Sequence, residues 1–204
     1  QPQILGVTTA QDDDQANPAS STITVSSPAL LSRVINVNFI DEDDQVIILS
    51  SGSSTLQEPP QMPNTGSFTV KLGFVPTGAT ESITITVPFA QTSKVQVCNT
   101  NTLRGSLCGP STTLTFTNQT GMPGGWDQPQ TVFTAAQSDI DVNNETVALA
   151  LTSNRAPNPV ATHTVNVVDD DQLNLVILPS QAASIAEGTV GNTATFAVQL
   201  NFDP

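Results

Sequence analysis

Apolar residues alternate with polar residues along much of the chain, and this period of two predicts β-strands. Residues 68–74, 83–87 and 147–151 each carry apolar side chains at every second position. Successive side chains of a strand point to opposite faces, so each segment buries one face and exposes the other. Segments rich in Pro, Gly and Asn separate the runs, and no stretch sustains a helical period. The pattern predicts an all-β chain with essentially no helix, arranged as an antiparallel, Greek-key-type, immunoglobulin-like β-sandwich of about seven strands per unit.

The sequence also repeats itself at an offset of about 128 residues. Residues 67–76 (SFTVKLGFVP) return as residues 195–204 (TFAVQLNFDP), an offset of 195 − 67 = 128. The strand and acidic cluster of residues 37–44 (VNFIDEDD) return as residues 165–171 (VNVVDDD). We therefore expect a tandem array of sandwiches with a repeat of about 127 residues.

The repeat sets the expected domain boundaries. Residues 45–171, between the two acidic clusters, are expected to form the complete sandwich. Residues 1–44 then supply the C-terminal strands of a preceding sandwich, and residues 172–204 the N-terminal strands of a following one. Partial sandwiches expose strand edges that accept further strands. We expect neighbouring repeats of the same or an identical chain as partners, with self-assembly by strand addition as a variant.

Composition excludes several classes of function. Asp and Glu number 18 against 5 Lys and Arg, and the formal charge of −13 opposes binding to nucleic acids or anionic membranes. No apolar run is long enough to cross a bilayer. The single histidine, His163, is expected to face solvent from a strand, and Trp126 to close one end of the sandwich. Without a nucleophile motif beside a base, we expect no enzyme.

The acidic residues cluster in loops, which points to a cation. Neighbouring like charges repel by about 1 kcal/mol at 4 Å even in water, a cost that a bound cation removes. Asp139 and Asp141 lie two positions apart and so share a face in extended chain, and residues 169–171 (DDD) end a strand. Oxygen ligands suit Ca²⁺, whereas zinc would require closely spaced His or Cys. The alternative is a solvated acidic surface, which we expect for Glu145.

Several motifs, in order, resemble Calx-beta domains. Residues 165–171, followed by residues 184–188 (SIAEG) and an alternating strand at 194–200, are similar to the junction between these calcium-binding sandwiches of sodium–calcium exchangers and microbial surface proteins. The motifs LTFT, WDQPQTV and DID of residues 114–141 resemble the second half of large bacterial members. Residues 57–60 (QEPP) depart from the family, in which Glu is usually followed by Gly.

The resemblance implies Ca²⁺ at the domain junctions and an extracellular or cell-surface location. Carried over by motif, the ligands of the complete sandwich are Glu58, Asp139, Asp141, Asp169, Asp170 and Asp171. The ligands of the earlier copy are Asp12, Asp13, Asp14, Asp41 and Asp43, with Asp44 as an optional member.

The two cysteines and two asparagine triplets are candidates for covalent modification. Cys98 and Cys108 are expected to close a hairpin as a disulfide, the alternative being two free buried thiols. Asn118 (NQT) and Asn144 (NET) fit the N-glycosylation pattern.

Two functions follow from these expectations. The first is a structural repeat of an extracellular stalk, spacer or filament shaft that calcium stiffens at the domain junctions. The second is an adhesin module that binds glycan or protein through its loops. The hairpin at residues 95–110 is the one candidate loop elaboration, and it lacks aromatic residues, which favours the structural function.

Overall fold

A computed structural model describes residues 4–8, 10, 20–40, 43–99, 108–155, 159–178, 187–188 and 193–202. These residues form thirteen strands and one three-residue 3-10 helix at Phe89–Gln91, which confirms the predicted all-β class. The strands are β1 (Ser21–Ser27), β2 (Leu30–Val37), β3 (Ile47–Leu49), β4 (Ser53–Gln57), β5 (Thr65–Leu72), β6 (Thr80–Thr86), β7 (Val95–Cys98), β8 (Ser111–Thr117), β9 (Gln130–Ala136), β10 (Glu145–Ser153), β11 (Val160–Val168), β12 (Leu175–Leu178) and β13 (Ala197–Leu200).

Nine of these strands, β3 to β11, form two sheets. One sheet has the order β4-β11-β10-β6-β8 and the other has the order β3-β5-β9-β7. All pairs in the two sheets are antiparallel except β4 with β11, which is parallel. The sequence predicted about seven strands. The number of strands is larger partly because the extended conformation is interrupted at residues 50–52, so that β3 joins one sheet and β4 joins the other.

Side-chain burial along the strands alternates with the same period of two as the apolar residues in the sequence. Along β5 and β10, alternate side chains are buried between the sheets and their neighbours are more accessible. The core includes the aromatic side chains of Phe68 and Phe116, and its buried residues lie between positions 56 and 167. Burying such a side chain contributes about 1.5–3 kcal/mol. Trp126 packs against this core, as predicted, and its Nε1 donates to Thr120 Oγ1 at 3.2 Å.

The prediction that His163 faces solvent is wrong. Its side chain is fully buried, and its ring stacks on Phe68 with the centroids 3.9 Å apart. Nδ1 lies 3.0 Å from the carbonyl oxygen of Ser51 and Nε2 lies 3.1 Å from the hydroxyl of Ser54. A neutral ring with its proton on Nδ1 satisfies both contacts, and burial lowers the pKa of His163 below 6.5. The polar residue is tolerated because both ring nitrogens have partners.

The chain enters the sandwich at one end and leaves it at the other. At the entering end, Gln45 donates through Nε2 to Glu81 Oε2 at 3.2 Å, and the hydroxyl of Ser153 donates to Glu81 Oε1 at 2.6 Å. Ser153 is the last residue of β10, whereas the first, Glu145, lies opposite Val167 near the end of β11. The chain therefore leaves the sandwich at the end of β10 opposite to Gln45. We call this exit end the acidic pole.

Two further hairpins lie outside the two large sheets. Strands β1 and β2 pair antiparallel, as do β12 and β13, and each pair is a two-stranded sheet. Both carry exposed apolar side chains, including Leu31 on β2 and Leu175 on β12. In the part of the chain that is described, no helix has the length and apolar character needed to cross a membrane.

Candidate metal centre at the acidic pole

Three chain segments bring their carboxylates together at the acidic pole. Because β4 and β11 are parallel neighbours, their C-terminal ends meet, and Glu58 N–H donates to the carbonyl of Val168 at 2.9 Å. The loop between β9 and β10 adds its two aspartates, Asp139 and Asp141. The carboxylate oxygens form two groups, each within 4.8 Å: Glu58, Asp169 and Asp171, and Asp139, Asp141 and Asp169.

Glu58 is the innermost of these acids. Its side chain is only 1% exposed, and Oε1 accepts the backbone N–H of Asp139. Its Oε2 is buried with no hydrogen-bond partner among the described residues, and so is Oδ2 of Asp169. Burying an ionised carboxylate without a partner costs several kcal/mol, and a proton or a cation shared by the two oxygens would remove part of this cost.

The pKa of Glu58 reflects the lack of a partner for its buried oxygen. Burial, followed by the contact with Asp169 and the charges of Asp139 and Asp169, raises the pKa of Glu58 from 4.5 to about 7, against the opposing effect of the Asp139 N–H. Burial and the charges of Asp169 and Asp170 likewise raise the pKa of Asp171. Near neutral pH and without metal, Glu58 therefore carries a proton in part of the molecules.

Lys94 neutralises the other side of the pole. Its Nζ lies 2.5 Å from Asp139 Oδ2, 2.9 Å from Asp141 Oδ2 and 2.7 Å from Glu145 Oε1. Burial opposes the charge on Lys94, but the hydrogen bonds to the three acids raise its pKa above the ordinary value. The hydrogen bond from Lys94 and the N–H of Asn143 lower the pKa of Asp141 to about 2. Asp139 and Asp141 thus already have a cation.

The prediction that Glu145 faces water is wrong. It is partly buried and paired with Lys94, because β10 begins beside the loop that holds the two aspartates. Burial raises the pKa of Glu145, and the Lys94 ammonium offsets part of this effect. Lys94 itself was not identified from the sequence. It directly precedes a strand and is one of only five Lys and Arg residues in the chain. The scarcity of basic residues was the available signal.

Short hydrogen bonds within the loops fix the direction of the carboxylates. Oδ1 of Asp139 accepts the N–H of Asp141 at 3.0 Å, and Oδ1 of Asp169 accepts the N–H of Asp171 at 2.7 Å. The backbone of Asp169 is held in turn by Asn144 Oδ1, 2.9 Å from its N–H. In both aspartates one oxygen is used by the loop. The second oxygen contacts Lys94 in Asp139 and has no partner in Asp169.

The other predicted ligands have different positions. Asp170 belongs to neither carboxylate group although it lies between two residues that do. Asp43 and Asp44 are described but belong to neither group. Four ligands predicted for the earlier copy lie outside the described residues: Asp12, Asp13, Asp14 and Asp41.

The predicted covalent sites are also located. Cys98 and Cys108 form the predicted disulfide, with their Cα atoms 4.6 Å apart, and an antiparallel bridge between residues 97 and 109 closes the hairpin. Asn118 and Asn144 are both exposed, and their glycosylation stays a prediction.

In comparisons with known proteins, no protein-family model matches the chain, and no curated protein matches it closely enough to identify a relative. The assignment of function therefore depends on the geometry of the site and on the sequence resemblance.

Proposed function

We propose that this protein is a structural β-sandwich unit of an extracellular, Calx-beta-like array, acting as a stalk, spacer or filament shaft, and that its acidic pole binds Ca²⁺. The observation that carries the proposal is the pair of buried, unpartnered oxygens, Glu58 Oε2 and Asp169 Oδ2. Both belong to the carboxylate group that Lys94 does not contact.

The chemistry of this group fits calcium. Ca²⁺ takes six to eight oxygen ligands in flexible geometry, from carboxylates, carbonyls and water. Glu58, Asp169 and Asp171 offer carboxylate oxygens within 4.8 Å of one another, and water would complete the coordination shell of a bound cation. Histidine and thiolate ligands for zinc do not occur in the two carboxylate groups found among the described residues.

The charge balance of the pole supports a divalent cation. Among the described residues, the two carboxylate groups and Glu145 bring six carboxylates to it, those of Glu58, Asp139, Asp141, Glu145, Asp169 and Asp171, and the ammonium of Lys94 contacts three of them. With every acid ionised the sum is −6 + 1 = −5, and one Ca²⁺ lowers it to −3. Lys94 neutralises the carboxylates that it contacts without metal, so calcium would bind the carboxylates that Lys94 does not contact.

The position of the site suggests a mechanical role. Residues 169–174 connect β11 to β12, and two of the ligands, Asp169 and Asp171, lie in this linker. The far part of the linker is tied to the next hairpin, since the N–H of Asn201 donates to the carbonyl of Asn174 at 3.1 Å. A cation bound by Glu58 and the two aspartates would fix the near part to the sandwich and stiffen the joint. A joint of this kind needs no catalytic group.

The test is thermal unfolding of the whole chain with calcium, with magnesium and with EDTA. A ligand that binds only the folded state at a hundredfold excess over its Kd stabilises it by about 2.7 kcal/mol, which raises the Tm by several degrees. Asp171→Asn should abolish the rise, whereas Asp170→Asn is the matched control because this neighbour lies outside both carboxylate groups. Equal responses of the two variants, or no rise at millimolar calcium, would refute the calcium site.

The stiffening is tested separately by limited proteolysis of the linker at residues 169–174. Calcium should slow cleavage there in the wild-type chain and in Asp170→Asn, but not in Asp171→Asn. A rise in Tm without protection of the linker would show that the site stabilises the sandwich but not the joint.

A further inference from the structure

The hairpin β12–β13 reproduces part of the large sandwich in register. In the sandwich, β3 pairs with β5 so that Ile47 lies opposite Leu72. In the hairpin, Leu175 lies opposite Leu200, and both residues are displaced by 128 positions from their counterparts. The next two pairs along the strands are displaced by the same number. The hairpin β12–β13 is therefore the counterpart of β3 and β5.

The hairpin β1–β2 reproduces a different part of the sandwich. Leu149 of β10 lies opposite His163 of β11, and Ile23 lies opposite Ile35 in β1–β2. The displacement is 149 − 23 = 126 positions on the first strand and 163 − 35 = 128 on the second. The hairpin β1–β2 is therefore the counterpart of β10 and β11.

In the sandwich these two parts face each other across the core. Strands β3 and β5 belong to one sheet, and β10 and β11 belong to the other. They meet where the ring of His163 stacks on the ring of Phe68. By the same offsets, the matching contact between the two hairpins joins Ile35 to Phe196.

The faces that should meet are apolar and uncovered. On β12–β13 and the residue before β13, the inward-facing positions of the sandwich correspond to side chains that are 41% to 72% exposed: Leu175, Ile177, Phe196, Val198 and Leu200. On β1–β2, Val25 and Ile35 occupy such positions and are both 50% exposed. Adjacent exposed apolar side chains of this kind mark a surface that binds a partner.

One copy of the chain does not bring these two faces together by folding. The connection from β2 enters the sandwich at Gln45, whereas the connection to β12 leaves at the acidic pole, the opposite end of β10. The two hairpins thus emerge from opposite ends of the sandwich. A second copy of this chain carries the complementary hairpin and so offers a matching occupant for each face.

We propose that hairpin β12–β13 of one copy docks face to face on hairpin β1–β2 of the next, with Phe196 against Ile35. The contact joins two different surfaces, so it is heterologous, and because the two hairpins emerge from opposite ends of the sandwich it continues head to tail from copy to copy. It goes beyond the proposed calcium joint and does not rest on it, because neither hairpin contains a residue of the two carboxylate groups.

Cross-linking between two variants, each with one added cysteine, tests the contact. Ile35→Cys is mixed with Phe196→Cys without reductant, in EDTA, and treated with a short bis-maleimide. The native cysteines are joined in a disulfide and do not react. The mixture should give a product of twice the chain mass, in at least tenfold higher yield than either variant alone. Equal yield from Ile35→Cys alone would contradict the head-to-tail arrangement.

The matched control uses the outward-facing neighbours. Val34 is the counterpart of exposed Thr162, and Val176 is the counterpart of exposed Ile48. A mixture of Val34→Cys with Val176→Cys should cross-link at least tenfold less than the mixture of inward-facing variants. Equal yields from the two mixtures would overturn the proposal, because they would show random collision and not docking of one face.

Sedimentation equilibrium gives an independent measurement on the whole chain. The wild-type protein should associate into species larger than two copies as its concentration rises, in calcium and in EDTA alike. Phe196→Asp should reduce association at least tenfold, whereas Val176→Asp should not. A wild-type chain that stays monomeric up to its solubility limit would refute the docking. Association that requires calcium would show that the acidic pole, and not the two hairpins, joins the copies.

Discussion

The substitution Glu58→Gln is expected to remove a specific pH dependence of folding stability. The folded-state pKa of Glu58 is raised from 4.5 to about 7, so the folded chain binds a proton more tightly than the unfolded chain does. The metal-free protein therefore loses stability as the pH rises from 4.5 through 7. A displacement of roughly 2.5 pH units corresponds to about 3 kcal/mol. Glutamine keeps an oxygen for the Asp139 N–H and cannot ionise.

Urea unfolding in EDTA at pH 5 and pH 8 measures this effect. At pH 8 the variant should be more stable than the wild type by up to about 3 kcal/mol, and at pH 5 the two should be nearly equal. Calcium at pH 8 should stabilise the wild type and leave the variant unchanged.

The control is Glu81→Gln, since Glu81 is also 1% exposed but has partners on both oxygens, Gln45 and Ser153. The Glu81→Gln variant should lose as much stability between pH 5 and pH 8 as the wild type does. Equal losses of stability in Glu58→Gln and the wild type between the two pH values would refute the raised pKa of Glu58.

Three further predictions follow from the contacts. Lys94→Met leaves the acids around it unpaired and should lower the free energy of unfolding in EDTA by about 2–4 kcal/mol. Lys71→Met is the control, because it breaks none of these ion pairs. Equal effects of the two substitutions would contradict the role of Lys94. Replacing Cys98 and Cys108 by Ser should cost about 2.5–3 kcal/mol by the loop-entropy estimate, measured by urea unfolding against the wild type, and no loss would refute the estimate. A ¹⁵N NMR titration should show that His163 becomes charged at a lower pH than an exposed histidine and that the neutral ring carries its proton on Nδ1; charging at the ordinary pH would contradict the buried geometry.

The sequence predicted the parts of the fold that depend on local periodicity. Alternation along β5 and β10 identified the buried faces, because a strand turns every second side chain toward the core. Spacing also identified Asp139 and Asp141 as a pair, and the two cysteines as a disulfide. These features involve residues close in sequence, where the geometry of extended chain or a hairpin limits the outcome.

Features that depend on long-range contacts were missed. Lys94 meets Asp139 only because β7 and β9 are neighbours, and a lysine before a strand gives no sign of this. His163 is buried because the carbonyl of Ser51 and a hydroxyl on β4 reach its ring from more than 100 positions away. The alternating pattern placed His163 on a strand correctly, but polarity alone was a poor guide to which face it occupies.

Calcium titration calorimetry on the whole chain at pH 7 measures binding at the proposed site itself. Repeating the titration in two buffers with different ionisation enthalpies measures the protons released on binding. We expect one Ca²⁺ at the acidic pole and, because the pKa of Glu58 is about 7, release of about half a proton as it binds. Asp171→Asn should abolish the binding heat and Asp170→Asn should retain it. Absence of binding at millimolar calcium, or binding that both variants retain, would contradict the account.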